Sequence, residues 1–331
     1  MELRLSNLTK QLGKRRVLRG VDLLVPAAAW MSVVGISGAG KTTLLNIIAA
    51  VLEPDEGAVI IDGSPSGTGR HTIAYLLQDF PLYPSLIVRA NLRLAVDRQF
   101  SSRGPTTEEL VELLELGPLL TRLPTELSGG ERQRVALART LLLHRPIVLL
   151  DEPFSNLDAA LRRKIRRRLR ETQRAAKNIT ILVTHDQEDA ISTSDLVAFL
   201  DDGVLVQHDS PERVFRRPRT DRVAGNFGDV EMVMLAPALS GAFCLEGSSR
   251  NGTPALRESD FTVSLKEEEG HIVVQVIAAE FLGSRRRVFV EFESERFSVV
   301  IDSYEQIPKQ LWVKLRKERL QLYKDGVLVS G

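Results

Sequence analysis

Gly35-Ile36-Ser37-Gly38-Ala39-Gly40-Lys41-Thr42 follows the apolar run MSVVG (31–35) and opens the helix-length segment TTLLNIIAAVL (42–52). These eight residues match the pattern of a phosphate-binding loop, and a strand before it and a helix after it are the context that pattern requires. Glycine lets the backbone curl so that successive N–H groups point inward at phosphate oxygens, and the helix N-terminus adds the positive end of its dipole. Lys41 is placed to reach β- and γ-phosphates. Thr42 is placed to offer its hydroxyl to Mg²⁺, a cation that keeps most of its waters and takes few protein ligands.

Around the loop, further short apolar runs, IVLL (147–150), ITILV (179–183) and LVAFL (196–200), alternate with helix-length segments. That alternation predicts an α/β unit around a largely parallel sheet. Residues 83–143 interrupt the rhythm with helical sequence, IVRANLRLAV, TTEELVELLELG and ERQRVALARTLLL, and read as a helical insert. Beyond residue 228 the texture changes to VVQVI, VFVEF, FSVVI and LWVKL separated by Gly, Ser or Pro, which predicts a small antiparallel β domain. The expected division is therefore 1–228 and 229–331.

Composition bounds the function. About half of the 331 residues are apolar and the formal charge is +1, so disorder is excluded and two domains with real cores are expected. The single Cys244 forms no intrachain disulfide, which fits a reducing cytoplasm. The opening MELRLSNLTKQLGKRR lacks the apolar core of a secretory signal, and no uncharged run of about 18 apolar residues occurs. Residues 231–331 carry 13 basic and 15 acidic side chains, leaving 31 and 28 for the rest. Neither part is a polyelectrolyte, so a protein that coats nucleic acid is not expected.

Ile147-Val148-Leu149-Leu150-Asp151-Glu152 reads as a buried strand ending in two carboxylates. Adjacent side chains point to opposite faces of a strand, so the two acids should have different tasks. Asp151 suits the Mg²⁺ sphere through water, and Glu152 suits a general base, since phosphoryl transfer asks the protein mainly for positioning and electrostatics. Leu127-Ser128-Gly129-Gly130-Glu131-Arg132-Gln133-Arg134 opens a second helix with another potential phosphate cradle. One nucleotide needs one cradle, so two in one chain point to sites completed across a two-fold dimer.

With these residues in order, the sequence resembles an ABC-transporter ATPase. LSGGERQR is similar to the family signature, IVLLDEP to its Walker B segment, SNLD (155–158) to its D-loop, LVTHD with His185 to its switch, and Gln78 after TIAYLL to its Q-loop. The resemblance covers residues 1 to about 228 and implies ATP and Mg²⁺ as ligands. It implies that ATP is bound by Gly35, Ile36, Ser37, Gly38, Ala39, Gly40, Lys41, Thr42 and Thr43. Metal would be held near Thr42, Gln78 and Asp151, with Glu152, His185 and Gln78 as the catalytic set. Ser128, Gly129 and Gly130 would contact the γ-phosphate bound by the partner protomer, and Asp158 would couple the two sites. Where the family places an adenine-stacking aromatic, this chain has Leu12.

The resemblance also implies partners: a homodimer or a paired ATPase subunit, two transmembrane permease subunits and, indirectly, an extracytoplasmic solute-binding protein, at the cytoplasmic face of the inner membrane. The loop Phe80-Pro81-Leu82-Tyr83-Pro84-Ser85-Leu86 lies where such ATPases meet the membrane subunits, and local packing of the insert is the alternative reading. The helical segment 159–177 carries eight Arg or Lys up to Arg174, while Leu161, Ile165 and Leu169 form its apolar edge, which predicts a solvated basic face.

The C-terminal part, with LRESDFTV and VKLRKERLQLY, is similar to the OB-type regulatory domain of importers of the sugar, polyamine, iron(III) and sulfate groups, with Arg257-Glu258-Ser259 in place of the usual Arg-Pro-Glu. The junction GNFGDVEMVML resembles polyamine and iron(III) importers more than sugar importers. The expected function is thus an ATP-hydrolysing importer subunit. An exporter ATPase, or a soluble ABC protein acting on nucleic acid or ribosomes, are the alternatives, and no nucleic acid is expected. Stacking on an aromatic ring is worth about 1–3 kcal/mol per base, and leucine supplies apolar contact alone. Leu12→Tyr should therefore tighten ATP binding, measured as a lower equilibrium dissociation constant.

Overall fold

The computed structural model describes residues 1–65, 72–96, 104–227, 230–232, 242–243, 253–302, 307–316 and 319–330. Cys244 and much of the 225–235 junction lie outside them. The chain divides into two units, Met1–Glu212 and Arg213–Gly331.

In the first unit the elements run β1 (Leu3–Leu12), β2 (Arg15–Val25), β3 (Trp30–Val34), α1 (Lys41–Ile48), β4 (Glu56–Ile61), β5 (Ser64–Pro65) and β6 (Ile73–Leu76). The helices α2 (Val88–Ala95), α3 (Thr107–Leu113) and α4 (Gly129–Leu141) follow, then β7 (Ile147–Asp151), α5 (Ala159–Ala176), β8 (Ile179–Val183), α6 (Gln187–Thr193), β9 (Leu196–Asp201) and β10 (Val204–Asp209). The six-stranded sheet has the order β10-β9-β3-β8-β7-β6. Its pairs from β9 to β6 are parallel and β10 is an antiparallel edge. A second, antiparallel sheet has the order β2-β1-β4-β5.

Every residue of β3, β7 and β8 is buried, which is why these strands read as unbroken apolar runs rather than alternating ones. Their two faces serve different cores. Met31, Val33, Ile147, Leu149, Ile179 and Ile181 face a core shared with α1 and the antiparallel sheet. Trp30, Val148, Leu150 and Leu182 face a second core built with the helical insert and α5. The expected insert between residues 83 and 143 is helical, as α2, α3 and α4.

The basic helix α5 departs from expectation. Ile165 and Leu169 are buried as its apolar edge requires, but the basic residues flanking that edge are not all solvated. Arg162 and Arg166 both pair with Asp189 of α6, which is 1% exposed, and Arg166 is itself buried. Guanidinium forks satisfy a buried carboxylate bidentately, and here they fasten α6 to α5. Composition shows the charges; only packing reveals that Arg166 is buried and Arg162 partly so.

The division between units falls within α7 (Pro211–Arg216), before the boundary expected near residue 228, itself outside the described residues. Segment 213–227, which includes α8 (Asp221–Asn226), is tied to the following β domain. The Tyr323 hydroxyl donates to Pro218 O at 2.9 Å, Thr220 bridges to Val327, and the Arg257 guanidinium donates to Phe215 O while lying 3.9 Å from the Phe215 ring centre. The domain is antiparallel throughout its pairings. Its strands are β11 (Val230–Met232), β12 (Thr253–Arg257), β13 (Phe261–Ser264), β14 (Ile272–Leu282), β15 (Arg285–Phe292), β16 (Glu295–Ile301), β17 (Gln310–Leu315), β18 (Gln321–Lys324) and β19 (Val327–Ser330). They form sheets ordered β11-β12-β18-β19 and β13-β17-β14-β15-β16. The runs VVQVI, VFVEF, FSVVI and LWVKL all lie in the second sheet.

Ile181 sits at the centre of β8 with no exposed surface. Ile181→Ala is expected to destabilise the first unit by about 2–5 kcal/mol, read as a lower denaturation midpoint in urea.

Candidate functional site

Ligands of open parallel sheets bind beyond the carboxyl ends of the strands. At that edge β3 runs into the phosphate loop, β7 into Glu152, β8 into Thr184 and His185, and β6 into Gln78. Parallel register makes these ends level, with Asp151 opposite Val183 and Val33 beside the same Val183. A cavity of about 550 Å³ opens there. Gly35, Ser37, Gly38, Gly40, Lys41, Thr42, Thr43, Gln78, Glu152 and His185 line it, together with Arg15, Val17 and Val183. A second cavity of the same volume lies beside α3 and α5, lined by Gly104, Leu110 and Thr172 among others. Size therefore does not choose between them. Only the first brings a phosphate loop together with Gln78, Glu152 and His185.

The loop's glycines are dictated by sterics. Gly35 has φ +151°, and a β-carbon there would sit 2.0 Å from Leu200 O. Gly40, the N-cap of α1 with φ +104°, would press one against Val17 O at 2.8 Å. Neither position admits a side chain without moving backbone. Lys41 folds over the loop, donating from Nζ to Gly35 O at 2.8 Å and Ile36 O at 3.0 Å. Arg15 braces the loop from outside by donating to Gly38 O at 3.0 Å.

The electrostatics oppose one another. Burial pushes the Lys41 ammonium pKa down, while the nearby Glu152 and Asp151 carboxylates push it up. Burial pushes the Asp151 pKa up and the Glu152 charge adds to this, while the hydrogen bond from Thr42 and the Lys41 charge work against it. Asp151 is 1% exposed, and its Oδ2 is buried with no hydrogen-bond partner. An orphaned carboxylate oxygen next to a threonine hydroxyl is the donor set a hard divalent cation takes.

Glu152 has φ +48°, an uncommon conformation for a non-glycine residue, and its N–H donates to Val183 O at 3.0 Å. His185 Nδ1 lies 3.2 Å from Glu152 Oε1, so the two side chains expected to act together are already in contact. The segment carrying His185 is fixed from behind: Asp186 N–H donates to Thr184 Oγ1 at 3.0 Å and Asp189 N–H to Asp186 Oδ1 at 3.0 Å.

The remaining expected residues lie elsewhere. Ser128 caps α4 in a reciprocal box, its Oγ accepting from Glu131 N–H at 3.3 Å while its own N–H donates to Glu131 Oε2 at 2.7 Å. The Ser128 N–H and, next, the Ser128 hydroxyl, both donating to the Glu131 carboxyl, hold it below its usual range. Ser128, Gly129 and Gly130 are not among the lining residues of the chain's own cavity. Asp158 caps α5, accepting from Ala160 and Leu161 N–H at 3.1 and 3.0 Å. Leu12, at the end of β1, is 46% exposed and does not line the cavity. Arg15 and Val17 do, and sequence reasoning missed both, because their place depends on how β2 packs against the loop. Asp189, Arg162 and Arg166 were missed as supports of the His185 segment for the same reason.

Phe80 and Leu82 pack against the insert's core, as local packing would have it, yet Tyr83 between them and α2 is half exposed. The loop is held by buried Asn91, which accepts from Tyr83 N–H at 2.8 Å and donates to Leu86 O at 2.8 Å. Arg139 donates to Pro81 O and lies 4.9 Å from the Tyr83 ring centre.

The family model described as ABC transporter matches residues 18–155. The chain is 32% identical over 300 residues to the sulfate/thiosulfate import ATP-binding protein CysA of Synechocystis sp., covering 88% of this chain and 84% of that protein. It is 35% identical to the sn-glycerol-3-phosphate import ATP-binding protein UgpC of Cereibacter sphaeroides, over 86% and 85% of the two chains. It is 38% identical to the Fe(3+) ions import ATP-binding protein FbpC of Mesorhizobium japonicum, over 73% and 69%. Among solved structures, the dimeric post-hydrolysis state of the ATP-binding cassette MJ0796 bound to ADP and Pi is 30% identical with a TM-score of 0.57, covering 63% of this chain and 98% of that one.

Since the folded-state pKa of Asp151 is raised, its ionised form costs stability at neutral pH, and this cost is relieved as pH falls through the carboxylate range. Asp151→Asn should therefore raise the thermal unfolding midpoint of the nucleotide-free protein at pH 7. The gap to the parent should shrink towards about pH 4, where the unfolded carboxylate also protonates. Calorimetry across that range measures both effects.

Proposed function

The chain belongs to the ABC-transporter family of import ATP-binding proteins, and from that premise we propose that two copies bind ATP with Mg²⁺ between them, hydrolyse it and so drive solute import through partner membrane subunits. The observation that carries this reading is the convergence of the phosphate loop, Gln78, Glu152 and His185 on one cavity.

Thr42 and Asp151 fit a magnesium site, since the pair offers a hydroxyl and an otherwise unpartnered buried carboxylate oxygen, and Gln78 lines the same cavity. When bound, the cation neutralises charge on the β- and γ-phosphate oxygens. The protein's residues supply the rest. Lys41 exchanges its two loop carbonyls for phosphate oxygens, and backbone N–H groups of the loop cradle the β-phosphate. Glu152 accepts the proton of the attacking water. His185, in contact with Glu152, donates to the γ-phosphate and keeps the carboxylate aimed. The reaction is thus positioning plus charge stabilisation, as phosphoryl transfer requires.

Ser128, Gly129 and Gly130 open α4 away from the chain's own cavity, which fits a role on the nucleotide held by a second copy. A two-fold arrangement would use each cradle once and give two equivalent sites. Asp158, at the cap of the next helix, stands in the D-loop between Glu152 and α5 and would pass the state of one site to the other. Arg15 and Val17 line the cavity, and Leu12, which does not, would meet the base only where it projects beyond that lining.

No helix among the described residues is long and apolar enough to cross a membrane. Import would then need two permease subunits, for which the Tyr83 loop is the docking element, at the cytoplasmic face of the inner membrane, with a solute-binding protein acting outside. The C-terminal antiparallel domain is read as an OB-type regulatory unit. The solute would contact the binding protein and the channel rather than this chain. That is consistent with comparable similarity to relatives named for sulfate, glycerol 3-phosphate and iron(III).

Glu152→Gln should abolish turnover, by at least about a hundredfold for loss of a general base, while ATP binding is retained and ATP-bound dimers accumulate. Phosphate release and size-exclusion chromatography measure the two outcomes. Wild-type rates from this variant would remove Glu152 from the role of base.

A further inference from the structure

Gln133 lies in the second turn of α4, beyond the Ser128 cap, and has no exposed surface. Its hydrogen-bonding groups are spent on the segment that carries the catalytic carboxylate. Nε2 donates to Glu152 O at 2.9 Å and, more weakly, to Ser155 Oγ at 3.3 Å, while Oε1 accepts from Asn156 N–H at 3.2 Å. Ser155 Oγ donates in turn to Glu152 O at 3.2 Å. The consequence for Glu152 is specific. Its N–H is held by Val183 O of β8 and its C=O by the Gln133 amide, so both peptide groups flanking a left-handed φ of +48° are pinned. A side chain on a backbone fixed at both ends has few directions available, and this one meets His185 Nδ1.

A second, independent contact joins the same two segments. A β-carbon on Gly130 would approach Asn156 O to 2.8 Å, so the first turn of α4 and the 155–156 backbone touch directly. The start of α4 and the Glu152 segment therefore form one packed, hydrogen-bonded body within the first unit. Displacing the first by a few tenths of an ångström must either strain the Gln133 bonds or move Glu152, because buried amide and carbonyl groups are costly to leave unpaired.

We propose that Gln133 is a positioning residue: it sets the Glu152 backbone, and through it contact of the Ser128 end of α4 with the nucleotide of a second copy is transmitted to this chain's own catalytic carboxylate. This rests on the functional reading above. Gln133 does not line the cavity, and its amide groups are taken by Glu152, Ser155 and Asn156.

The test uses the full chain with ATP and Mg²⁺. Gln133→Met keeps the length of the side chain and removes every hydrogen bond. Gln133→Glu, when ionised, keeps the acceptor for Asn156 N–H and loses the donor to Glu152 O, and it serves if the methionine variant does not fold. The expected result is a fall in kcat of about tenfold or more, as small misplacements of catalytic groups produce. KM should stay within about twofold of wild type, and the Hill coefficient for ATP should fall towards one. A KM that rises in step with the loss of kcat would mark a merely structural role and overturn the proposal, as would either kcat or the Hill coefficient remaining at its wild-type value. A wild-type chain that does not hydrolyse ATP would instead overturn the functional reading.

Discussion

Burial of β3, β7 and β8 on both faces is the constraint from which the rest of the first unit follows. A strand with core on each side has little place for charge along its length, since a buried unpaired charge costs much free energy. Charged and catalytic side chains are pushed to the strand ends. Parallel pairing then brings the carboxyl ends to one edge, where the phosphate loop, Asp151, Glu152, His185 and Gln78 gather although as many as 150 residues separate them in sequence. The apolar core and the polar site are consequences of the same packing.

At that edge Lys41 and Asp151 are shifted in opposite directions by burial and by their neighbours' charges. Each charge is partly desolvated, and each is partly compensated by the other. Lys41 meanwhile satisfies itself with carbonyls of its own loop. On the proposed reading, polyphosphate would offer anionic oxygens to the ammonium, and a divalent cation would meet the orphaned carboxylate oxygen. Because the groups are held before the ligand arrives, little reorganisation is left for the moment of reaction.

Legibility differed from residue to residue. The phosphate loop could be read directly, because its glycines are required by local sterics and its lysine and threonine follow at fixed spacing. Asp151 and Glu152 stand out because a fully apolar run ends in two acids in a chain that also carries a phosphate loop. The antiparallel texture beyond residue 228 was also visible, though the contact division lies earlier, because Tyr323 and Arg257 tie residues 215 and 218 to the β domain. Arg162 and Arg166 were read as solvated because composition cannot show that Asp189, more than twenty residues away, turns inward to meet them.

By itself, the sequence determined what depends on local chemistry: which segments are strands or helices, where backbone must curl, and which side chains can bind phosphate or move a proton. Tertiary structure alone decided which of these residues share a cavity, that Arg15 and Val17 rather than Leu12 line its rim, and that Gln133 holds the Glu152 backbone. Those facts come from pairings between distant segments, set by how the antiparallel sheet and the helical insert each bury one face of the parallel strands. No spacing along the chain encodes such contacts, because the free energy that selects them belongs to the packed whole.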